Sequence, residues 1–331
     1  MRSIFLYLLG ITNFIFAINN EIFLEFDQRQ DFPGDAPLSQ ENYIAPNFTE
    51  LSKRYSLDFE HNSRNNREIE YSLIFGANSD DYLEEMLETD DGYFILSGYT
   101  QSYGNGGYDG WIIKLDSEGN QVWNNTYGNT NDNFIKNITK TSDGGIVAVG
   151  STVLNGNSTT SAWMFKVDSN GEIEWEQSYG DVWNEYIYSV IESQDGSLIL
   201  TGQEAPGNNW QVILIKTDSE GNEVWYRQHG GGSYHDYGFS LFEDSNNDLI
   251  ITGASCTGAS ATCDLAIMKT SSNGILEWNN SYDFGGGADD GRQILQNNNN
   301  ENYVIAGYFT NDQNNMDILK TSPFLDRFKK N

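Results

Sequence analysis

The sequence predicts an all-β fold, a β-propeller of five four-stranded blades, and three observations support this prediction. The first is an internal repeat. A Gly ends an apolar run once in each copy, and successive copies are spaced by 51 to 54 residues. These glycines are Gly98, Gly150, Gly202, Gly253 and Gly307. A period of this length is typical of propeller blades.

The second observation is that each copy contains four short segments rich in Val, Ile, Tyr, Phe and Trp. In the first copy they cover Tyr82–Leu87, Tyr93–Tyr99, Gly110–Leu115 and Gln121–Tyr127. The sequence Asp91-Gly92 separates the first two segments, and Asp-Gly supplies the positive φ that a tight hairpin needs. Each copy is therefore predicted to form four antiparallel strands.

The third observation is the phase of the two ends of the array. Glu68–Gly76 aligns with the fourth strand of a repeat, whereas the last copy stops after its third segment, Met316–Thr321. The N-terminal strand can therefore complete the last blade and leave no unpaired edge. We predict that residues 68–323 form one five-bladed ring.

Residues 1–17 have the pattern of a secretory signal peptide. Arg2 supplies the positive charge, Ile4–Phe16 the apolar centre and Ala17 a small residue at the cleavage point. The apolar run is too short, and too often interrupted by polar residues, for a membrane span. We expect a secreted or cell-surface protein without membrane insertion.

Two further segments lie outside the repeats. Residues 18–67 are predicted to form an irregular leader, with a segment lying across one face of the ring as the alternative. Residues 324–331 are predicted to form a C-terminal tail.

The chain is strongly acidic, with a formal net charge of −30. This charge opposes binding to nucleic acid, which needs a basic patch. We expect no cofactor, with Ca²⁺ as the alternative, because the negative charge attracts divalent cations although no loop has EF-hand spacing.

The two cysteines, Cys256 and Cys263, lie in one loop of the fourth copy. Export permits a disulfide between them. Zinc is the less favoured alternative, because neither a CxxC pair nor a nearby His supplies further ligands.

An acidic column precedes the first strand of the repeats. Its carboxylates are Asp81, Glu185, Asp236 and Asp290, and Asn133 takes the place in the second copy. A ring of oxygen ligands at a channel could hold Ca²⁺ or a polar ligand. The favoured interpretation is structural, with side chains that cap backbone N–H groups before each strand, because the column recurs in every copy.

Aromatic residues in the Gly- and Asn-rich loops are the candidates for ligand contact. They are Tyr103, Tyr108, Trp183, Trp210, Tyr234 and Phe284. Rings beside amides and carboxylates suit a sugar face, and they also suit a protein partner.

The repeats resemble a family of secreted β-propeller repeats in bacterial and archaeal surface proteins. The resemblance rests on Thr89-Asp-Asp-Gly92, Asp109-Gly-Trp-Ile-Ile-Lys-Leu-Asp116 and Gly119-Asn-Gln-Val-Trp123, and it covers about residues 68–323. It implies a propeller fold and a surface or secreted role, and it assigns no activity.

No GxSxG, HExxH or Walker A motif is present. The sequence therefore favours a non-catalytic propeller that binds a glycan or an extracellular protein through blade-end loops. The first alternative is a glycoside hydrolase or lyase whose carboxylates, Asp81, Glu185, Asp236 and Asp290, face the channel. The second is a structural surface or adhesion module without a small ligand.

Overall fold

The structure is a computed structural model of the chain. It describes residues 16–18, 21–23, 73, 75–154, 159–180, 183–207, 209–230, 235–257, 262–284, 287–296, 303–309 and 316–320. Every regular element in these residues is a β-strand. The described part of the chain has no helix that could cross a membrane.

One unit near the N-terminus contains a short hairpin. Strand β1 (Phe16–Ile18) pairs antiparallel with β2 (Glu21–Phe23). The remainder of the predicted signal peptide and leader, and the predicted tail 324–331, lie outside the described residues.

The other unit consists of five antiparallel sheets, each an up-and-down meander of consecutive strands, which we call blades 1 to 5. Blade 1 contains β3 (Asp81–Glu88), β4 (Phe94–Thr100), β5 (Asp109–Leu115) and β6 (Gln121–Tyr127). Blade 2 contains β7 (Asn133–Lys140), β8 (Ile146–Val153), β9 (Thr160–Val167) and β10 (Ile173–Tyr179). Blade 3 contains β11 (Glu185–Glu192), β12 (Leu198–Glu204), β13 (Gln211–Thr217) and β14 (Glu223–His229). Blade 4 contains β15 (Asp236–Glu243), β16 (Leu249–Thr257), β17 (Thr262–Thr270) and β18 (Leu276–Tyr282). Blade 5 contains β19 (Asp289–Gln296), β20 (Tyr303–Phe309) and β21 (Met316–Lys320).

The blades pack in chain order around their first strands. Strand β3 contacts β7, β7 contacts β11, β11 contacts β15 and β15 contacts β19. The all-β five-bladed propeller is thus confirmed. Most of the predicted closing strand, Glu68–Gly76, lies outside the described residues, and blade 5 shows three described strands.

The core lies between successive blades and is built from the apolar runs of the middle strands. Val149 and Met164 of blade 2, for example, share a buried cluster with Ile187 and Leu200 of blade 3. Both faces of a middle strand are covered, so these strands are almost continuously apolar instead of alternating.

The repeated Gly has a physical cause in a β-bulge. In blade 1 the pairing of β3 with β4 shifts between Leu83 and Glu85, directly beside Gly98. A Cβ on Gly98 would lie 1.9 Å from the carbonyl oxygen of Tyr82. The same shift and the same close approach recur in the other four blades. The bulge thus requires Gly on the neighbouring strand, because no Cβ fits there, and the two features therefore occur together in each blade.

The first hairpin turns of blades 1 to 4 also follow from the sequence. Gly92 adopts a φ of 84°, as the Asp-Gly turn requires. In blade 4, where Asn246-Asn247 replaces Asp-Gly, Asn247 takes the positive φ of 64°. Asn tolerates this region better than other residues with a side chain, so the turn survives the substitution.

Side-chain hydrogen bonds join the first strands of neighbouring blades. Asn137 Nδ2 donates to Glu85 Oε2 at 2.9 Å, and Asn137 Oδ1 accepts from the backbone N–H of Val190 at 3.0 Å. Between blades 4 and 5, the N–H of Ile294 donates to Ser240 Oγ at 3.3 Å. These bonds hold the walls of the channel in register.

Candidate active site in the central channel

The bulge on the first strand of each blade sets which side chains face the central channel. The extra residue of each bulge is Glu84, Lys136, Tyr188, Phe239 or Arg292, in blades 1 to 5 respectively. We call these five side chains the channel ring. Tyr188 of blade 3 interacts electrostatically with Arg292 of blade 5, although these blades are not neighbours in the ring. Because blades 3 and 5 are not adjacent, this interaction across the ring places Tyr188 and Arg292 toward the channel axis.

Glu84 is the one carboxylate of the channel ring. Its Oε1 lies 2.6 Å from Lys136 Nζ, and its carboxylate is also hydrogen-bonded to the hydroxyl of Tyr99. The Glu84 side chain is 13% exposed, so the ion pair is largely shielded from solvent while its edge stays accessible. Burial and the nearby Glu84 carboxylate raise the pKa of Tyr99, which keeps that hydroxyl a hydrogen-bond donor.

A second carboxylate, Asp290, stands two residues before the bulge of blade 5. Arg292 forms a bidentate ion pair with it, with Nε 2.9 Å from Oδ1 and Nη2 2.6 Å from Oδ2. The guanidinium also lies over the ring of Phe239 in blade 4, at 4.2 Å from the ring centroid. The bidentate ion pair and the cation–π contact of Arg292 together hold Asp290 at the channel wall.

Aromatic rings continue outward from Glu84 at the junction of blades 1 and 2. The first aromatic cluster consists of Tyr82, Tyr99, Tyr108 and Phe134. Tyr82 stacks on Tyr99 with centroids 4.8 Å apart, and Tyr99 meets Phe134 edge-on at 4.9 Å. Lys136 Nζ lies 4.6 Å from the centroid of Tyr99, so the cluster is continuous with the ion pair.

A second aromatic cluster, defined as Tyr188, Tyr237 and Phe239, lies at the junction of blades 3 and 4. Tyr237 stacks on Phe239 with centroids 5.7 Å apart, and Tyr188 meets Phe239 edge-on at 5.3 Å. Burial raises the pKa of Tyr188 strongly, so its hydroxyl stays protonated at neutral pH. The channel therefore has paired charges on one part of its wall and aromatic faces on another.

The predicted acidic column occupies the first position of the inner strands, where its side chains turn toward the preceding loops. Asp81 accepts from the N–H of Ala77 at 2.9 Å and from the hydroxyls of Thr100 and Ser102. Asn133 in blade 2 is hydrogen-bonded to Thr152 in the same way. Such bonds are those of a residue that caps a loop.

In the fifth blade the column falls on Asp289 and not on Asp290. Asp289 is fully buried, begins β19 and accepts from the N–H of Phe284 at 2.8 Å. The register places Asp290 one residue further, among the channel-facing side chains. Burial raises the pKa of Asp236, the column residue of blade 4, against the opposing hydrogen bond from Ser255.

Blade 3 is exceptional in this column, because two buried carboxyl groups face each other there. Glu185 of β11 pairs with Glu204 of β12, and they are 2% and 4% exposed. Glu204 accepts from Gln228 Nε2 at 2.8 Å and from the hydroxyl of Tyr226. Since neither residue is open to solvent, this pair cannot meet a substrate in the described conformation.

The structure separates the six aromatic loop candidates. Tyr108 belongs to the first aromatic cluster, and Trp210 packs on Tyr186 with centroids 5.6 Å apart. Tyr103 is 43% exposed and lies against Trp111. Trp183 and Phe284 are 43% and 41% exposed, and Tyr234 lies outside the described residues.

Two further predictions concern the cysteines and calcium. Cys256 and Cys263 pair directly across β16 and β17 and are joined by a disulfide. Within the described residues, one group of three carboxylates has oxygens within 4.8 Å of one another: Asp264, Asp283 and Asp289. Calcium binding stays a prediction, for which these are the residues to examine.

Sequence reasoning missed the channel ring. Its five members keep the period of the repeat, but they are Glu, Lys, Tyr, Phe and Arg, and a column without a shared chemistry is hard to notice. The available signal was the repeated Gly, because a bulge must lie opposite it and aims one side chain of the neighbouring strand at the axis.

No protein-family model matches the chain, and no curated protein matches it. Solved structures match its fold. One is a GH93 α-L-arabinofuranosidase of Fusarium graminearum in complex with arabinobiose, at 10% identity and a TM-score of 0.47, covering 71% of this chain and 90% of that one. A GH43 β-1,3-galactosidase matches at 8% identity and a TM-score of 0.43, covering 71% and 88%. An exo-β-1,3-galactanase from Clostridium thermocellum matches at 13% identity and a TM-score of 0.41, covering 71% and 57%.

We correct the expectation of a non-catalytic binding propeller: these three similar structures are glycan-cleaving enzymes, and the alternative of a glycoside hydrolase is taken up under the proposed function. At such identities the likeness to this chain shows the fold alone, a β-propeller.

Proposed function

We propose that the protein is a glycoside hydrolase whose active site is the central channel. The observation that carries the proposal is the placement of two carboxylates from different blades, Glu84 and Asp290, beside the aromatic rings of the channel wall. Hydrolysis of a glycosidic bond uses carboxyl groups as acid and as nucleophile or base, and a further carboxylate can stabilise the charge on the sugar ring.

Glu84 is suited to the role of the ionised carboxylate. Its ion pair with Lys136 and its bond from Tyr99 fix its orientation, and a positioned carboxylate serves as nucleophile or as base toward water. Asp290, held by Arg292, would stabilise the positive charge that develops on the sugar ring.

A proton donor must remain protonated until the leaving group departs. Asp236 has this property, because burial raises its pKa. Its side chain lies beside Gly230 of the preceding loop, so the role of acid requires the leaving group to reach the loop end of β15. We assign it the role of acid. The separation of the acid from the ionised carboxylate determines whether the anomeric configuration is retained or inverted, so product stereochemistry reports on this pairing.

We infer the cellular location from the N-terminal pattern and from the family resemblance. A signal peptide over residues 1–17 and a resemblance to secreted surface repeats both support export. The disulfide Cys256–Cys263 is compatible with an oxidising compartment. We place the enzyme outside the cytoplasm, where polysaccharide is accessible.

The test is an incubation of the purified protein with a panel of neutral and acidic polysaccharides and their oligosaccharides, followed by chromatography of the products. Shortened products with new reducing ends are expected from at least one glycan. The absence of cleavage across the panel would contradict the proposed function. Proton NMR of the first products gives the anomeric configuration.

A further inference from the structure

We propose that the first aromatic cluster is a sugar-binding subsite for neutral oligosaccharides, holding the part of the glycan that extends away from Glu84. This inference rests on the proposed function and adds a substrate class to it. Three observations, on the rings, their uniqueness and their charge, lead to it.

The four rings form one connected surface that begins at Glu84. Tyr99 contacts Glu84 through its hydroxyl, stacks on Tyr82 and meets Tyr108 edge-on at 5.4 Å. Tyr108 lies 5.5 Å from Phe134 of blade 2. Tyr82 is 38% exposed, so part of its side chain is open to a ligand. A glycan bound at Glu84 would therefore meet an aromatic surface as its next contact.

The repeat does not require this surface. Tyr82 pairs directly with Tyr99 across β3 and β4. At the equivalent pair the other blades have Phe134 with Ser151, Tyr186 with Gln203, Tyr237 with Ala254, and Asp290 with Tyr308. Only blade 1 places two aromatic rings there. Since the fold forms with a small or polar partner at this position, the pair in blade 1 is explained by a role beyond folding.

The charge around the cluster selects a neutral ligand. Two acidic residues stand at its rim: the N–H of Tyr108 donates to Asp132 Oδ1 at 3.0 Å, and Asp80 acts electrostatically on the Tyr108 hydroxyl. The nearest cation, Lys136, is already paired with Glu84. Carboxylates accept hydrogen bonds from sugar hydroxyls, whereas they repel uronates and sulfated sugars.

The experiment compares Tyr82→Ala with wild type on a series of neutral oligosaccharides of two to six sugars, drawn from the glycan that the wild type cleaves, and on the p-nitrophenyl glycoside of its terminal sugar. The matched control is Tyr93→Ala, which removes a Tyr of the same blade at the turn between β3 and β4, where Lys114 covers the ring. Melting temperatures of both variants verify folding.

We expect kcat/KM of Tyr82→Ala to fall by about tenfold on the hexasaccharide, as the loss of one stacking contact predicts, and to change little on the p-nitrophenyl glycoside. Tyr93→Ala should leave both values near those of the wild type. An equal effect of Tyr82→Ala on long and short substrates would overturn the subsite and leave the hydrolase intact. Faster cleavage of acidic than of neutral glycans would also overturn it.

If the wild type cleaves nothing, the proposed function fails, and calorimetric titration with linear neutral hexasaccharides of xylose, arabinose, galactose, glucose and mannose judges the subsite alone. Binding that weakens about tenfold in Tyr82→Ala would support the subsite. No binding, or equal binding by both proteins, would overturn it.

Discussion

Lys136 Nζ of blade 2 lies 2.6 Å from Glu84 Oε1 of blade 1, so one ion pair spans two inner strands at the channel. Both residues are the extra residues of their bulges. The pair therefore depends on the bulge, on the Gly opposite it, and on the packing of consecutive blades.

The first prediction tests whether this pair acts as a unit. Lys136→Met removes the ammonium group that orients Glu84, and we expect kcat to fall by about 10- to 100-fold with a smaller change in KM. The double variant Lys136→Met with Glu84→Gln should be no slower than Glu84→Gln alone, because coupled residues are not additive. Additive losses would show that Lys136 acts on the substrate independently of Glu84.

The second prediction concerns the proton donor. Burial raises the pKa of Asp236, and proton donation by this residue should stop as the pH rises through that pKa. The wild type should therefore lose kcat/KM on the alkaline side of its pH profile, and this loss should disappear in Asp236→Asn. The loss should be much smaller on a 2,4-dinitrophenyl glycoside, whose leaving group needs no proton. Equal losses on dinitrophenyl and alkyl glycosides would assign Asp236 a structural role instead.

The third prediction concerns the Gly that faces each bulge. Gly98→Ala places a Cβ 1.9 Å from the carbonyl oxygen of Tyr82, so the strands must separate, at a cost of about 1–3 kcal/mol in the free energy of unfolding. The adjacent Ser97→Ala is the control. Ser97 is fully buried and its Oγ has no hydrogen-bond partner in the described part of the chain, so its removal should be neutral or stabilising. Urea denaturation measures the free energy of unfolding of both variants. Equal values for Gly98→Ala and Ser97→Ala would contradict the bulge as the reason for the repeated Gly.

The fourth prediction is a pH dependence of stability from Glu85. Burial raises its pKa to about 7, outweighing the hydrogen bonds from Met86 and Asn137. The folded state thus favours the protonated form, and the resulting stability is complete below the unfolded pKa of 4.5 and is lost as pH rises through about 7.

Glu85→Gln removes this titration and should be more stable than wild type at pH 8 by up to about 3 kcal/mol, with the gap closing at pH 4. Glu88→Gln, at the exposed end of the same strand, should follow the wild type at both pH values. A gap that does not change with pH would rule out Glu85 as its source.

The sequence was sufficient for the fold because the propeller repeats every structural requirement once per blade. The predicted segment Gln121–Tyr127 coincides with β6, and Tyr82–Leu87 differs from β3 by one residue at each end. Turn residues and buried middle strands are local in sequence, so they can be read from one copy at a time.

The site could be predicted only in part. Asp290 was selected as a column residue, although the column falls on Asp289, because the loop before blade 5 shifts the alignment by one residue. The proposed roles of Glu84, Lys136 and Arg292 depend on contacts with side chains of other strands. Alignment of the repeats finds positions where every copy has a similar residue. The channel is lined by different residue types from different blades, so the alignment does not reveal it.

The most direct test of the central claim compares Glu84→Gln with Glu88→Gln, two isosteric changes in the same strand, on a glycan that the wild type cleaves. Initial rates of reducing-end release are the measurement. The channel account predicts that Glu84→Gln loses at least about 100-fold in kcat, while Glu88→Gln keeps the wild-type rate. Comparable rates for Glu84→Gln and the wild type would contradict a catalytic site at the channel ring.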